Sequence, residues 1–347
     1  MSLRQRTSFS QVRIQIVTPA PPGSRHGNRN TALRWAAHLR ALGHRVGIDT
    51  AWRGGRADAL IALHARRSHA AVAAWKEAHP ARPLVLVLTG TDLYRDIRTD
   101  RDAKASLELA DRLIVLQAEG LNELKASHRR KAAVIHQSVR PIRRRSPPAR
   151  QFLVTVIGHL REEKEPFCAA RALQHLEGNV RVIQLGKALS EDMAGQARRF
   201  MKREARYRWL GELPHGAAMR WLARSHAMVI SSRMEGGAHV VSEAIAAGVA
   251  VLASRISGNV GLLGGRYPGC YPVGNDRALA RLIERAHDQR FLKLLEQQVK
   301  SRRALVRPAA ERRALRALIA EIRDRPRFPD ASDRKHFVPP GRSFHDR

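Results

Sequence analysis

The sequence predicts an α/β protein of two halves, each built on a parallel sheet, followed by C-terminal helices. Three observations predict it. Short apolar runs recur at strand length, helical patterns separate them, and the alternation restarts after a patternless Pro- and Arg-rich stretch, 141–150. At 347 residues the chain exceeds the usual size of one domain, so two domains of roughly 150 residues are expected. An apolar fraction of 44% suffices for two cores.

In the first half, residues 12–17 alternate into a strand that ends at Thr18-Pro19-Ala20-Pro21-Pro22. A polar, glycine-bearing loop over 23–31, with charged Arg25 and Arg29, leads into a helix expected to bury Leu33, Ala36, Ala37 and Leu39 and to close at Gly43. Strands follow at 46–49, 59–63, 83–88, 113–116 and 134–138. The run Leu84-Val85-Leu86-Val87-Leu88 is apolar throughout, as a strand buried on both faces should be. Polar groups emerge where these strands end: His64, Arg66 and Arg67 after the third, then Thr91 and Asp92 after the fourth. In a parallel sheet such ends share one rim, and open α/β sheets bind ligands there.

The second half starts at 152–157 and ends that strand in Gly158-His159-Leu160-Arg161-Glu162-Glu163-Lys164. Strands at 180–183, 207–211, 227–230 and 249–253 follow, with a helix around 217–223. Between the last two strands lies Ser231-Ser232-Arg233-Met234-Glu235-Gly236-Gly237-Ala238, a diglycine turn opening a helix that Gly248 should cap. Another rim loop, Ser254 to Asn259, comes after it. From about Asp276 the chain is helical, with Leu315, Leu318, Ile319 and Ile322 on one apolar face. The expected division is 1–143, 151–305, a helix over 306–323 packing back on the first domain, and a patternless tail, 324–347, expected to be disordered.

Composition narrows the class. The 63 Lys+Arg against 31 Asp+Glu give a net charge of +32, a field that attracts anionic partners. Nucleic acid ranks low among these, because the basic residues are scattered and the five Trp and four Tyr do not alternate with them. Cys168 and Cys270 stand far apart without a metal-ligand spacing, which fits a reducing compartment and argues against structural zinc. No apolar run approaches the ~18 residues of a membrane span and no leader pattern precedes residue 20, so a cytoplasmic protein is expected. Neither GxGxxG nor GxxxxGK[ST] occurs, and Asp100-Arg101-Asp102 follows no apolar strand and reads as surface charge.

The second rim carries the sharper chemistry. Lys164, with His159 or Arg161, and the amides after Glu235 suit a diphosphate. The carboxylate of Glu243 can accept two hydroxyl hydrogen bonds, as a ribose or hexose diol offers. Together they fit a nucleotide sugar, whose departing nucleoside diphosphate needs charge stabilisation more than a strong base.

The context Ser-x-x-Glu-Gly-Gly-x5-Glu-Ala-x3-Gly-x-x-Val, holding Glu235 and Glu243, resembles the donor site of glycosyltransferase family four. Gly158 to Lys164 resembles that family's Gly-Arg-Leu-x3-Lys, with His159 where Arg is usual. The resemblance implies a GT-B fold, two Rossmann-like domains facing a cleft, with retention at the anomeric carbon and no metal or other cofactor. Five runs, at 63–68, 88–97, 158–164, 232–241 and 253–261, resemble the selenosugar synthases of bacterial selenoneine biosynthesis. Those enzymes move a hexose or N-acetylhexosamine unit from a UDP-sugar to selenophosphate. The donor, UDP-N-acetylglucosamine or UDP-glucose, is expected on Glu243, Glu235, Gly236, Gly237 and Ala238, with Arg233, Ser242 and Asn259 beside it and Lys164, His159 and Arg161 on the diphosphate. Selenophosphate is expected on Gly27, Asn28, His64, Arg66, Arg67, Thr91 and Asp92. The alternatives are a retaining hexosyltransferase with a glycan, lipid or thiol acceptor and, ranked lower, a nucleic-acid-binding protein.

Overall fold

The computed structural model describes residues 11–24 and 27–323. In the first domain they form strands β1 (Arg13–Val17), β2 (Arg45–Asp49), β3 (Ala59–Leu63), β4 (Leu84–Leu88), β5 (Arg112–Val115) and β6 (Ala132–Val134). They pair in parallel in the order β2-β1-β3-β4-β5-β6. The two-residue side-chain period splits each inner strand between two cores. Ile61, Leu63, Val85 and Val87 face the side covered by helix α1 (Gly27–Ala41). Leu60, Ala62, Leu84 and Leu86 face α2 (His69–Ala78) and α3 (Arg101–Leu109). Asp100 caps α3 by accepting from the Ala103 amide at 2.8 Å.

The second domain repeats the plan with β7 (Phe152–Ile157), β8 (Val180–Leu185), β9 (Tyr207–Trp209), β10 (Ala227–Ile230), β11 (Ala250–Ser254) and β12 (Cys270–Tyr271). Their order is β12-β11-β10-β7-β8-β9, again all parallel. Around them lie α4 (Cys168–Ala172), α5 (Glu191–Arg203), α6 (His215–Ala223), α7 (His239–Ala247), α8 (Ser257–Leu263), α9 (Asp276–Arg285) and α10 (Gln289–Ser301). The last helix, α11 (Pro308–Arg323), leaves this domain. Its Leu315, Leu318, Ile319 and Ile322 join Trp35, Ala36 and Leu39 in the core of the first domain.

Four local expectations are corrected. The paired strand β6 stops at Val134; the Ile135 amide makes one last bond to the Val115 carbonyl at 3.0 Å, and residues 136–138 lie outside the strand. In α1 the buried stripe is Ala32, Trp35, Ala36 and Leu39, whereas Leu33 (47% exposed) and Ala37 face outward. Residues 32, 35, 36 and 39 recur at helical spacing and 33 and 37 fall between them. The helix also begins at Gly27, so Gly27 and Asn28 form its first turn instead of a loop. The crossing at 141–150 is patternless but anchored: Arg144 donates to the Ala223 and Ser225 carbonyls at 2.8 and 2.6 Å and pairs with Glu296 at 3.0 Å. Arg25 and the 324–347 tail lie outside the described residues.

Candidate functional site

Parallel strands all end on one side, so each sheet presents a single polar rim, and the two rims meet. Gly236 of the second domain lies on the backbone of Thr89 and Gly90 of the first. A Cβ there would sit 2.3 Å from the Thr89 carbonyl oxygen, so any larger residue would push the rims apart. At Gly261 a Cβ would meet the Gln117 side-chain oxygen at 1.7 Å. Gln117 Nε2 donates to the Tyr94 hydroxyl at 2.9 Å, and that hydroxyl also bonds Ser257 at the head of α8. Burial pushes the Tyr94 phenol up to about 12, so it bridges the rims as a neutral group.

On the second rim the two carboxylates each hold a basic partner. Lys164, in the short turn after β7, pairs with Glu235 Oε1, which also accepts from the Ser232 hydroxyl at 2.6 Å. Glu243 points from α7 with only 6% of its side chain exposed, and its Oε1 lies 2.7 Å from His215 Nε2 and 3.6 Å from His239 Nε2. The hydrogen bond to Glu243 raises His215 above the usual imidazole value. Burial lowers His239, with the charge of Glu243 opposing that and Arg34 of α1 adding to it. The helix α7 directs its first amides towards the Gly236–Ala238 turn, next to Lys164 and Glu235, where an anion is favoured.

Arg233 and Asn259, also expected at the donor, have structural partners. Arg233 donates through Nε to Glu165 Oε2 at 2.7 Å, and its amide bonds the Glu163 carbonyl at 2.8 Å, tying this loop to the turn of Lys164. Burial alone would raise Glu165; hydrogen bonds from Arg171 and Arg233 outweigh it and hold the carboxyl below its usual range. Ser242 and Asn259 are 1% and 0% exposed, which places them beneath the surface a donor would touch. Asn259 Nδ2 donates to the Ser254 carbonyl at 2.9 Å, and the Ser254 hydroxyl to the Ser232 carbonyl at 2.6 Å, so they brace the loop from below. Arg161 is half-exposed with Glu163 at 3.9 Å, and His159 lies at the strand end beside it.

On the first rim, Asp92 is fully buried. It accepts from the amides of Ala65, Thr89 and Gly90 at 3.0, 3.0 and 2.7 Å. His64 sits in the left-handed region at φ 77 and bonds the Thr91 hydroxyl at 3.1 Å through Nε2. The Arg67 amide donates to its Nδ1 at 3.3 Å, so the proton is on Nε2, and burial lowers the ring's basicity. Arg66 pairs with Asp96 at 2.9 Å, while Arg67 is exposed. The structure therefore gathers His64, Thr91 and Asp92 into one tightly bonded loop pair. The carboxylate of Asp92 is spent on backbone amides.

Sequence reasoning missed three features. His215, the first residue of α6, carries a polar ring to Glu243. Tyr94 and Gln117 join the rims. Beyond β8 and β9 an open cavity of about 470 Å3 is lined by Lys187, Leu189, Ser190, Glu191, Trp209 and Glu212. The signal there was Leu189, an apolar residue in a polar rim loop, which is 47% exposed. No group of three His, Cys, Asp or Glu able to hold a metal ion occurs among the described residues. None of their helices is long and apolar enough to cross a membrane.

Residues 138–306 match the family described as Glycosyl transferases group 1. The fold is GT-B and matches solved structures over nearly its whole length. The Anabaena protein Alr3699/HepE, solved with UDP and glucose, is 16% identical at a TM-score of 0.71, covering 90% of this chain and 100% of that one. The same protein has been solved with UDP-glucose, at a TM-score of 0.72. Sucrose-phosphate synthase from Thermosynechococcus elongatus is 14% identical at 0.72, covering 90% and 99%. No curated protein matches the sequence.

Proposed function

From the match of residues 138–306 to the group 1 glycosyltransferases, we propose that this protein transfers a hexose or N-acetylhexosamine unit from a UDP-sugar to selenophosphate. The observation that carries the donor half is the pair of carboxylates, Glu235 and Glu243, each held by a basic side chain, on either side of the Gly236–Ala238 turn. The uracil would enter the cavity beside Leu189, the ribose hydroxyls would bond Glu243, and the diphosphate would lie at the head of α7 with Lys164 and Arg161. Complexes of Alr3699/HepE with UDP and UDP-glucose support a uridine nucleotide on this fold.

The acceptor half rests on the five runs that resemble selenosugar synthases, and the geometry is compatible with it. Where Thr89 and Gly90 meet Gly236 the rims touch, which favours a small acceptor over a polymer at that edge. A lone pair on selenium forms the C–Se bond at the anomeric carbon as the C–O bond to UDP breaks, its electron pair leaving on the diphosphate. Lys164 and the α7 amides stabilise that charge. Water then cleaves the P–Se bond, giving phosphate and the selenosugar.

Incubation of the protein with UDP-glucose or UDP-N-acetylglucosamine, each with selenophosphate, should release UDP and yield a product of selenosugar mass. UDP release only with carbohydrate, lipid or thiol acceptors would replace selenophosphate and keep the donor. No UDP binding at all would overturn the donor assignment.

A further inference from the structure

The most heavily bonded carboxylate among the described residues lies outside the candidate site. Glu311, in the first turn of α11, is 1% exposed. Arg34 Nε donates to its two oxygens at 3.1 and 2.9 Å, and Trp35 Nε1 donates at 2.8 Å. The Ser138 amide donates at 3.0 Å, the Ser138 hydroxyl also bonds it, and His38 Nε2 lies 3.3 Å away. Although burial would raise this carboxyl, hydrogen bonds from His38 and Ser138 and the charge of Arg34 hold it at about 2.

Those donors are not one structural unit. Arg34, Trp35 and His38 belong to α1 of the first domain, Ser138 to the chain leaving that domain, and Glu311 to the helix returning to it. One turn earlier the Val139 amide donates to the Val306 carbonyl at 2.9 Å, joining the two crossings directly. Glu311 thus sits where both connections between the domains converge. The expected donor contacts, Lys164, Glu235 and Glu243, all lie on the second domain, whereas transfer also needs the first rim seated on Gly236.

We propose that Glu311 is a positioning residue for the transfer step: it locks both crossings to α1 and so sets how the first rim lies over the donor loop. A carboxylate is suited to this because one group satisfies donors from two segments in a dry place and so ties them to its own helix, and loss of its charge leaves the Arg34 guanidinium buried without compensation. The donor reading is used only to choose the readout.

The test uses the full chain with four variants: Glu311→Gln, Ser138→Ala, Arg34→Lys and the double change Arg34→Met with Glu311→Met. UDP affinity by calorimetry reports the second domain, and kcat reports the closed arrangement. Glu311→Gln should keep UDP affinity within about twofold and lower kcat at least tenfold, about 1.4 kcal/mol of transition-state stabilisation. Arg34→Lys, which keeps a cation at the carboxylate, should lower kcat less than Glu311→Gln does. The double Met change, which removes the buried charges together, should fold yet stay slow. Should the first variant fail to fold, Ser138→Ala should still lower kcat several-fold at unchanged UDP affinity. Wild-type kcat in a folded Glu311→Gln or double variant, or equal losses of UDP affinity and kcat, would overturn the proposal. Proteolytic cleavage within 140–150 should rise in Glu311→Gln without any substrate present; unchanged cleavage would count against the lock even if the protein binds no UDP.

Discussion

The two rims use the same residue types for opposite purposes. On the second, Glu235 and Glu243 are each held by a basic side chain near the surface, Lys164 and His215, partners that a ligand can displace or share. On the first, Asp92 is buried and bound to three backbone amides, and His64 is fixed by a hydroxyl and an amide. A charged residue at a strand end therefore says little by itself. A carboxylate paired with a side chain near solvent can exchange that partner for a ligand, while one satisfied by backbone amides is a loop staple.

The largest expected break in this contrast comes at the contact between the rims. Gly236→Val places a side chain where even a Cβ meets the Thr89 carbonyl at 2.3 Å. Forcing the reacting groups apart by about 1 Å should lower kcat about 100-fold. UDP affinity should change little, and a parallel loss of both in titration and turnover would mean that the rims do not act separately.

Next comes Glu243→Ala. Removing hydrogen bonds to a charged acceptor, about 1.5–3 kcal/mol, should weaken UDP binding roughly 10- to 100-fold while the melting temperature stays close to wild type. Unaltered UDP affinity would place Glu243 with Asp92 among the staples. The converse variant, Asp92→Asn, leaves buried amides facing an NH2 group and should cost about 1–3 kcal/mol in urea unfolding. Its UDP affinity should stay the same.

The smallest effect concerns His215. Its bond to Glu243 raises its pKa, so this pair stabilises the fold fully below about 6.5, the free imidazole value, and the contribution is lost as pH rises through the raised value. With 72% of the ring exposed, solvent screens the effect to a fraction of a kcal/mol. Its proton resonance should titrate above the free value in wild type and return towards it in Glu243→Gln. An unchanged titration would remove Glu243 as the cause.

Much of this arrangement was legible in the sequence because it is periodic or local. The apolar run at 84–88 announced a doubly covered strand, and Glu235-Gly236-Gly237 with Glu243 announced a turn carrying two acids. Where local pattern misled, competing geometry explains it: Leu33 and Ala37 are apolar, yet the burial face of α1 belongs to Trp35 and its neighbours.

By itself the sequence determined the two parallel sheets, the polar rims and the acidic pair, since side-chain period and glycine turns act over a few residues. Only the tertiary structure decided which rim residues are free to exchange partners, that His215 reaches Glu243, and that Glu311 joins Arg34 and Ser138 across 277 and 173 positions. Such contacts depend on where distant elements come to rest, and neither periodicity nor spacing encodes the partner of a buried charge.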